Sequence, residues 1–147
     1  MATNKPAPPS TGELLEAVSN MVVRVYADHV GRGPTKARAY ADRDIIVCVM
    51  EDTMTKAEKT LVDSGRSAAV KQVRDALQET MRDDLVTGIE ALTGRRVIAQ
   101  TGTGTLEPDV TSDLFILDEQ GPAPAGSGPS QANDRPRPVG RNRPRVV

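Results

Sequence analysis

The stretch that decides the fold is residues 66–94, RSAAVKQVRDALQETMRDDLVTGIEALTG. Its apolar residues recur every three or four positions, and this spacing puts them on one face of a single helix. The stripe consists of Val70, Val73, Leu77, Met81, Leu85, Ile89 and Leu92. Charged and amide side chains fill the positions between them, and Gly94 follows as a C-terminal stop. The pattern predicts a helix about 40 Å long, against which shorter elements pack.

Two capping boxes predict two further helices. Ser10 with Glu13, and Thr55 with Glu58, have the spacing in which each side chain caps the other residue's backbone N–H. The first helix should end at Gly31, and the second is short and also closed by a glycine. The apolar stripe of the first helix is Leu14, Leu15, Val18, Met21, Val22, Val25, Tyr26 and His29.

Four short segments predict strands: residues 35–41, 45–50, 96–101 and 113–117. The second, IIVCVM, is a continuous apolar run rich in β-branched residues, which predicts a central strand covered on both faces. Turn sequences lie at residues 42–43, 102–104 and 108–109. The element order α-β-β-α-α-β-β predicts an α+β fold, with one four-stranded, mostly antiparallel sheet packed by helices.

The composition divides the chain into three parts. Residues 1–9 are predicted to be a flexible leader, residues 10–119 the folded domain, and residues 120–147 a disordered tail rich in Pro, Gly and Arg. The tail has five Arg and one acid, whereas the chain as a whole has a net charge of −1, so the folded part is acidic. With three aromatic residues and an aliphatic core, the domain would gain stability by associating with a second copy, and we expect a homo-oligomer.

Location follows from what the sequence lacks. A single cysteine excludes an internal disulfide, and no apolar run approaches the roughly 20 residues that span a bilayer. The first residues contain no apolar signal-peptide core. We therefore expect a cytoplasmic protein that reaches the inner membrane only through a partner.

Catalytic and metal chemistry find little support. The single histidine, His29, is placed to interact with the C-terminal dipole of its helix, and Cys48 lies within an apolar strand. No pair of Cys or His residues has metal-ligand spacing, and Asp83-Asp84 lies on a solvated helix face. Residues 101–105, TGTGT, lead into a turn and a strand rather than a helix, which favours a hairpin loop over a phosphate loop. We expect no enzyme activity, no cofactor and no metal.

Arg32 stands out in the loop GRGP of residues 31–34, because the glycines explain a helix stop but not the arginine. With Lys36 and Arg38 on the next strand, it forms a candidate anion or partner contact. We expect its removal to leave the fold intact and to weaken binding. The Arg-rich tail is open to three interpretations: contact with phosphates of nucleic acid or lipid, a solubilising segment, or a polyproline ligand.

The element order is also that of the type II KH domain, which grips single-stranded RNA with a G-x-x-G loop between paired helices. The matching loop, residues 63–66, has a single glycine and an acid where a phosphate would sit. A KH-like nucleic-acid-binding module is therefore an alternative by fold analogy, and a small-anion-binding regulator that uses Arg32 is another.

Several stretches together resemble one bacterial family. They are residues 31–34 (GRGP) with 36–38 (KAR), 44–47 (DIIV) with 51–52 (ED), 54–61 (MTKAEKTL), 81–85 (MRDDL), 92–95 (LTGR) and 108–110 (PDV). In this combination the chain resembles the MpsC-type domain over about residues 13–119. The resemblance implies the small component of a cation-translocating, membrane-potential-generating system linked to uptake of inorganic carbon. It implies no catalytic residues.

The resemblance also selects candidate binding residues, namely those in the matching stretches that the predicted fold does not need. They are Arg32, Lys36, Arg38, Glu51, Asp52, Lys56, Lys59, Arg82 and Asp83. Glu58 has less weight because it already serves the second capping box. We therefore expect a non-enzymatic accessory protein that binds a protein partner, a membrane cation or bicarbonate transport system.

Overall fold

The computed structural model describes residues 10–119, and the predicted leader and tail lie outside the described residues. The elements are α1 (Thr11–Val30), β1 (Lys36–Asp42), β2 (Ile45–Glu51), α2 (Lys56–Asp63), α3 (Ser67–Thr93), β3 (Val97–Thr105) and β4 (Val110–Leu117). The predicted order and the α+β class are confirmed.

The helix ends form where the sequence places them. The Ser10 hydroxyl accepts from the Glu13 N–H at 3.1 Å, and the Glu13 carboxylate accepts from the Ser10 N–H at 2.9 Å. Thr55 and Glu58 form the same box at the start of α2. The long helix α3 ends at Gly94, whose φ of +70° is the left-handed conformation that glycine adopts without strain. Both capping boxes and the long helix are confirmed.

The sheet is antiparallel throughout, with the strand order β1-β2-β4-β3. β1 pairs with β2 in one hairpin, and β3 pairs with β4 in the other. β2 also pairs with β4 over seven residues, from Ile45 opposite Ile116 to Glu51 opposite Val110, and this pairing joins the two hairpins. The last strand is therefore a central one.

One face of this sheet forms the core with α1 and α3. The buried side chains of that core are Val18, Met21, Val22, Tyr26, Ile46, Cys48, Met50, Met81, Leu85, Ile89, Phe115 and Leu117. The expectation that β2 is covered on both faces is wrong, because both helices pack on the same side. On the other side Val47 and Val49 are only half-buried and Ile45 is 42% exposed.

The predicted stripe of α3 is wrong at Val73, which is 51% exposed, although Val70, Met81, Leu85 and Ile89 are buried. At about 100° per residue, Val73 lies about 160° around the helix from Ile89. A straight helix that buries Ile89 therefore turns Val73 towards solvent.

The glycines at residues 102–104 lie in β3, so the predicted turn there is wrong, and the tight turn occupies residues 106–109. A Cβ at Gly104 would lie 2.8 Å from the carbonyl oxygen of Val110. A Cβ at Gly102 would lie 2.5 Å from Oδ1 of Asp113. Both glycines thus allow close approach of neighbouring groups. The β1–β2 turn is Arg43-Asp44, one residue later than predicted.

Candidate functional site

Four of the stretches that suggested a family meet at one end of the sheet. The loop after α1, the end of β2, the second half of α2 and the β3–β4 turn surround a groove of about 640 Å³. We call it the sheet-end groove. Its lining residues are Thr35, Lys36, Glu51, Asp52, Met54, Lys59, Val62, Asp63, Leu106, Glu107, Pro108, Asp109 and Val110.

Arg32 supports the groove from beneath. One guanidinium nitrogen, Nη1, donates to the backbone oxygens of Asp52 at 2.9 Å and Met54 at 2.7 Å, and Nη2 donates to Oδ2 of Asp52 at 3.2 Å. The sequence predicted that the fold does not need Arg32, whereas in the structure its side chain makes these hydrogen bonds within the fold. The arginine fastens the loop after α1 to the segment between β2 and α2, and these bonds occupy both of its terminal nitrogens.

Asp52 is the first residue of that segment. Its φ is +58°, unusual for a residue other than glycine, and its N–H donates to the Asp109 carbonyl at 3.2 Å. The Arg32 hydrogen bond, with further help from Thr35 and Lys59, holds the pKa of the Asp52 carboxyl below its ordinary value. The carboxylate is thus a fixed negative charge, with Nζ of Lys59 at 3.6 Å.

Asp109, from the β3–β4 turn, holds the other side of the segment. Its two carboxylate oxygens accept from the Thr53 hydroxyl at 2.7 Å and from the Met54 N–H at 2.8 Å. Arg74 on α3 donates to the same Thr53 hydroxyl through both terminal nitrogens, at 3.0 and 2.6 Å. Its Nε lies 3.5 Å from Glu58. These bonds connect the groove to the two nearest helices.

The predicted binding residues divide into those the groove brings together and those it does not. Lys36, Glu51, Asp52 and Lys59 line it, and Arg32 supports it. The others lie elsewhere: Arg38 is exposed on β1, Lys56 is exposed at the first residue of α2, Arg82 donates to Gln100 at 3.1 Å, and Asp83 is exposed on α3. The sequence did not single out Asp109 or Arg74, although Asp109 belongs to one of the family stretches.

A second polar cluster lies inside the core and was missed. Asp113 is fully buried and accepts from the Tyr26 hydroxyl at 3.0 Å and from Gln100 at 3.1 Å, while Gln78 donates to Tyr26 at 2.6 Å. Burial raises the pKa of the Asp113 carboxyl to about 6. A signal existed in the sequence, because strand alternation puts Asp113 on the same face as Phe115.

Acid–base and metal chemistry have few candidate groups here. In the described residues, no three His, Cys, Asp or Glu side chains are grouped so that they could hold a metal ion. Nε2 of His29 lies 2.9 Å from the Asp84 carboxylate. Cys48 is buried, and this burial raises the pKa of its thiol to about 12. Neither His29 nor Cys48 lines the groove, whose side chains are charged and apolar.

Comparison with known proteins identifies the family. Residues 10–119 match the family described as Na⁺-translocating membrane potential-generating system (MpsC). Neither a search of curated proteins nor one of solved structures gave a match. Among the residues that the structure describes, no helix combines the length and apolarity needed to cross a bilayer. Since the match covers most of the chain, including every stretch that meets at the groove, the chain belongs to the MpsC family.

Proposed function

We propose that the protein is a non-enzymatic component of a Na⁺-translocating, membrane-potential-generating system and acts by binding a membrane partner through the sheet-end groove. The observation that carries the proposal is the groove itself. It lies where four family stretches converge, and its framework is fixed by hydrogen bonds from three directions. Ion translocation, and any uptake of inorganic carbon coupled to it, would be the work of the partner.

The chemistry of the groove fits a basic, partly apolar segment. Its apolar lining residues are Met54, Val62, Leu106, Pro108 and Val110. Acidic side chains border them: Asp63 and Glu107 are exposed at the rim. Loops of membrane proteins on the cytoplasmic side carry an excess of Lys and Arg. Such a loop would place its cations near Asp63 and Glu107 and its apolar side chains on the floor.

The framework favours binding without large rearrangement. Arg32 and Asp109 hold the backbone of the segment between β2 and α2, so its conformation is set before a partner arrives. A surface ordered in advance loses less conformational entropy on association than a flexible one. For this reason we assign Arg32 and Asp109 the role of holding the segment between β2 and α2, and not that of contacting the partner.

The small-anion alternative loses its main argument, because Arg32 already donates to Asp52 and Met54. The KH-like alternative rests, as before, on element order. The loop between α2 and α3 contains Gly65 at φ +82° and is preceded by Asp63. This acid would repel a phosphate, so we keep nucleic acid as an outcome of the experiment.

The experiment is capture from solubilised native membranes, with full-length protein as bait and nuclease present or absent. We compare the wild type with the variant Asp63→Lys/Glu107→Lys. Glu16→Lys/Glu79→Lys, two charge reversals at exposed positions of α1 and α3, is the matched control. We expect an integral membrane protein that the wild type and the control retain and the double variant loses. A synthetic peptide of that protein's most basic loop should compete.

Two results would contradict the proposal. If the double variant captured the membrane protein as well as the control does, the groove would not be the binding surface. If the captured material were nucleic acid and vanished with nuclease, the KH-like alternative would replace the proposal.

A further inference from the structure

The strand β1 forms one edge of the sheet, and its side chains on the open face change from positive to negative charge along the strand. From one end to the other they are Lys36, Arg38, Tyr40 and Asp42, all exposed. An edge strand presents unpaired N–H and C=O groups that another strand can join. Because two positive charges lie at one end and a negative charge at the other, this edge is complementary in charge to a second copy of β1 that runs in the opposite direction.

We propose that β1 pairs antiparallel with β1 of a second copy, about a two-fold axis at Ala39. All seven residues of the strand then have a partner. Lys36 lies opposite Asp42 of the other copy, and Arg38 lies opposite Tyr40. Because of the two-fold symmetry, each of these pairs occurs twice, and the two sheets become one sheet of eight strands.

The charges select this orientation. A parallel pairing of the same two edges needs a two-fold axis along the strands, which turns one sheet over and places the charged faces of the two copies on opposite sides, where their charges cannot pair. In the antiparallel pairing the same charges attract. Arg38 and Tyr40 lie two residues apart on the same face of one strand, and the neighbouring Tyr40 raises the pKa of the Arg38 guanidinium. Across the interface the guanidinium meets a second aromatic ring, a favourable cation–π contact.

Exposed apolar side chains lie at or next to the β1 edge. Tyr40 is 52% exposed. Ile45 on β2, which lies opposite Asp42, is 42% exposed. A second copy along β1 would cover part of both side chains. The opposite edge strand β3 also exposes an apolar side chain, Ile98 at 59%, but it is less suited to pairing because its register is irregular between Val97 and Ala99, at Ile98 itself.

The experiment is sedimentation equilibrium of the full-length protein alone. An interface of one strand pair is small, so the concentration series should reach about 1 mM. Lys36→Asp and Asp42→Lys should each weaken dimerisation by about tenfold, because each change turns two attractive pairs into repulsive ones. The combined variant Lys36→Asp/Asp42→Lys should restore dimerisation to near the wild-type value.

Matched controls separate the strand from net charge. Arg24→Asp and Asp28→Lys make the same changes of charge at exposed positions of α1 and should leave association unchanged. The swap Arg38→Asp/Asp42→Arg should not restore dimerisation, since these two positions do not face each other in the proposed register. Rescue by this swap, a monomeric wild type at the highest concentration, or equal effects of the α1 controls would each overturn the proposal. No partner takes part, so the result is independent of the groove.

Discussion

The Arg32 guanidinium donates to both the backbone oxygen and the carboxylate of Asp52, which is 20 residues away in the sequence. The backbone of Asp52 lies in the left-handed region. Residues other than glycine rarely adopt that conformation, and here the Arg32 hydrogen bonds hold Asp52 in it. The two residues therefore form one structural unit in which the arginine holds the aspartate. Lys59 and Asp109 extend the unit on the groove side.

Arg32→Ala should lower the free energy of unfolding by about 1–3 kcal/mol, because it removes a charged donor from two half-buried or buried carbonyl groups. This replaces the expectation from sequence that the fold would be unaffected. The measurement is urea unfolding, and Arg24→Ala on the exposed side of α1 is the control. Equal midpoints for the two variants would show that the Asp52 segment holds its conformation without the arginine.

The buried Asp113 should make stability depend on pH. Its pKa of about 6 in the folded state is above the ordinary value of 3.8, so between these values the folded state binds more protons than the unfolded state. Stability from this group is full below the ordinary value and is lost as the pH rises through about 6. The loss should be about 3 kcal/mol. The pKa of Asp52 is lowered, so its contribution is lost only at more acid pH.

Asp113→Asn is the variant that isolates this effect. We expect the difference in unfolding free energy between wild type and Asp113→Asn to change between pH 4 and pH 7. Contributions from the other carboxyl groups occur in both proteins and cancel. If the two proteins keep a constant difference over that range, the Asp113 carboxyl of the folded state is already ionised at pH 4 and its pKa is not raised.

Met81→Asp should destabilise the protein by several kcal/mol, since it places a charge in the core at a side chain that is 1% exposed. Val73→Asp on the same helix is the matched control, because Val73 is half exposed. It should change stability by less than about 1 kcal/mol. Thermal unfolding of both variants tests the face of α3 directly, and a large effect at Val73 would place that side chain in the core.

Gly88 lies in the interior of α3 where α1 crosses it. A Cβ at this position would overlap the side chain of Met21, with Cγ at 2.7 Å. Gly88→Ala should be close to neutral, because the gain of about 1 kcal/mol in helix propensity offsets a shift of the flexible methionine. Gly88→Leu should cost about 1–3 kcal/mol or more, since the two helices must separate. Similar stabilities for both variants would mean that the helices are not in close contact there.

Local signals in the sequence were enough for most of the fold. The capping boxes at Ser10 and Thr55 and the stop at Gly94 depend on residues within one turn, so they could be predicted without the tertiary structure. The errors arose where distant residues decide. Gly102 and Gly104 are turn residues by propensity, yet they serve β3 because Asp113 and Val110 approach closely. The exposure of Val73 depends on which part of α3 meets the sheet.

The site was predictable only as a set of residues without roles. The family stretches contain Arg32 and Asp52, but their spacing gives no sign that one bonds the other. Arg74 lies on the polar side of the α3 pattern, where a solvated residue is expected, and instead it reaches Thr53. Such contacts join segments that are about 20 residues or more apart in the chain, and they follow from strand order, which the sequence left open.

The order of the strands has a consequence for how the chain acquires its structure during synthesis. β2 and its partner β4 are separated in the sequence by the whole of α2, α3 and β3, so the four-stranded sheet cannot form until residues 110–117 have left the ribosome. Until then, the elements that have already emerged exist as a hairpin and separate helices whose apolar faces are exposed. Chaperones should therefore meet this protein before its final strand is translated, and a stalled chain that lacks β4 should be a substrate for proteolysis.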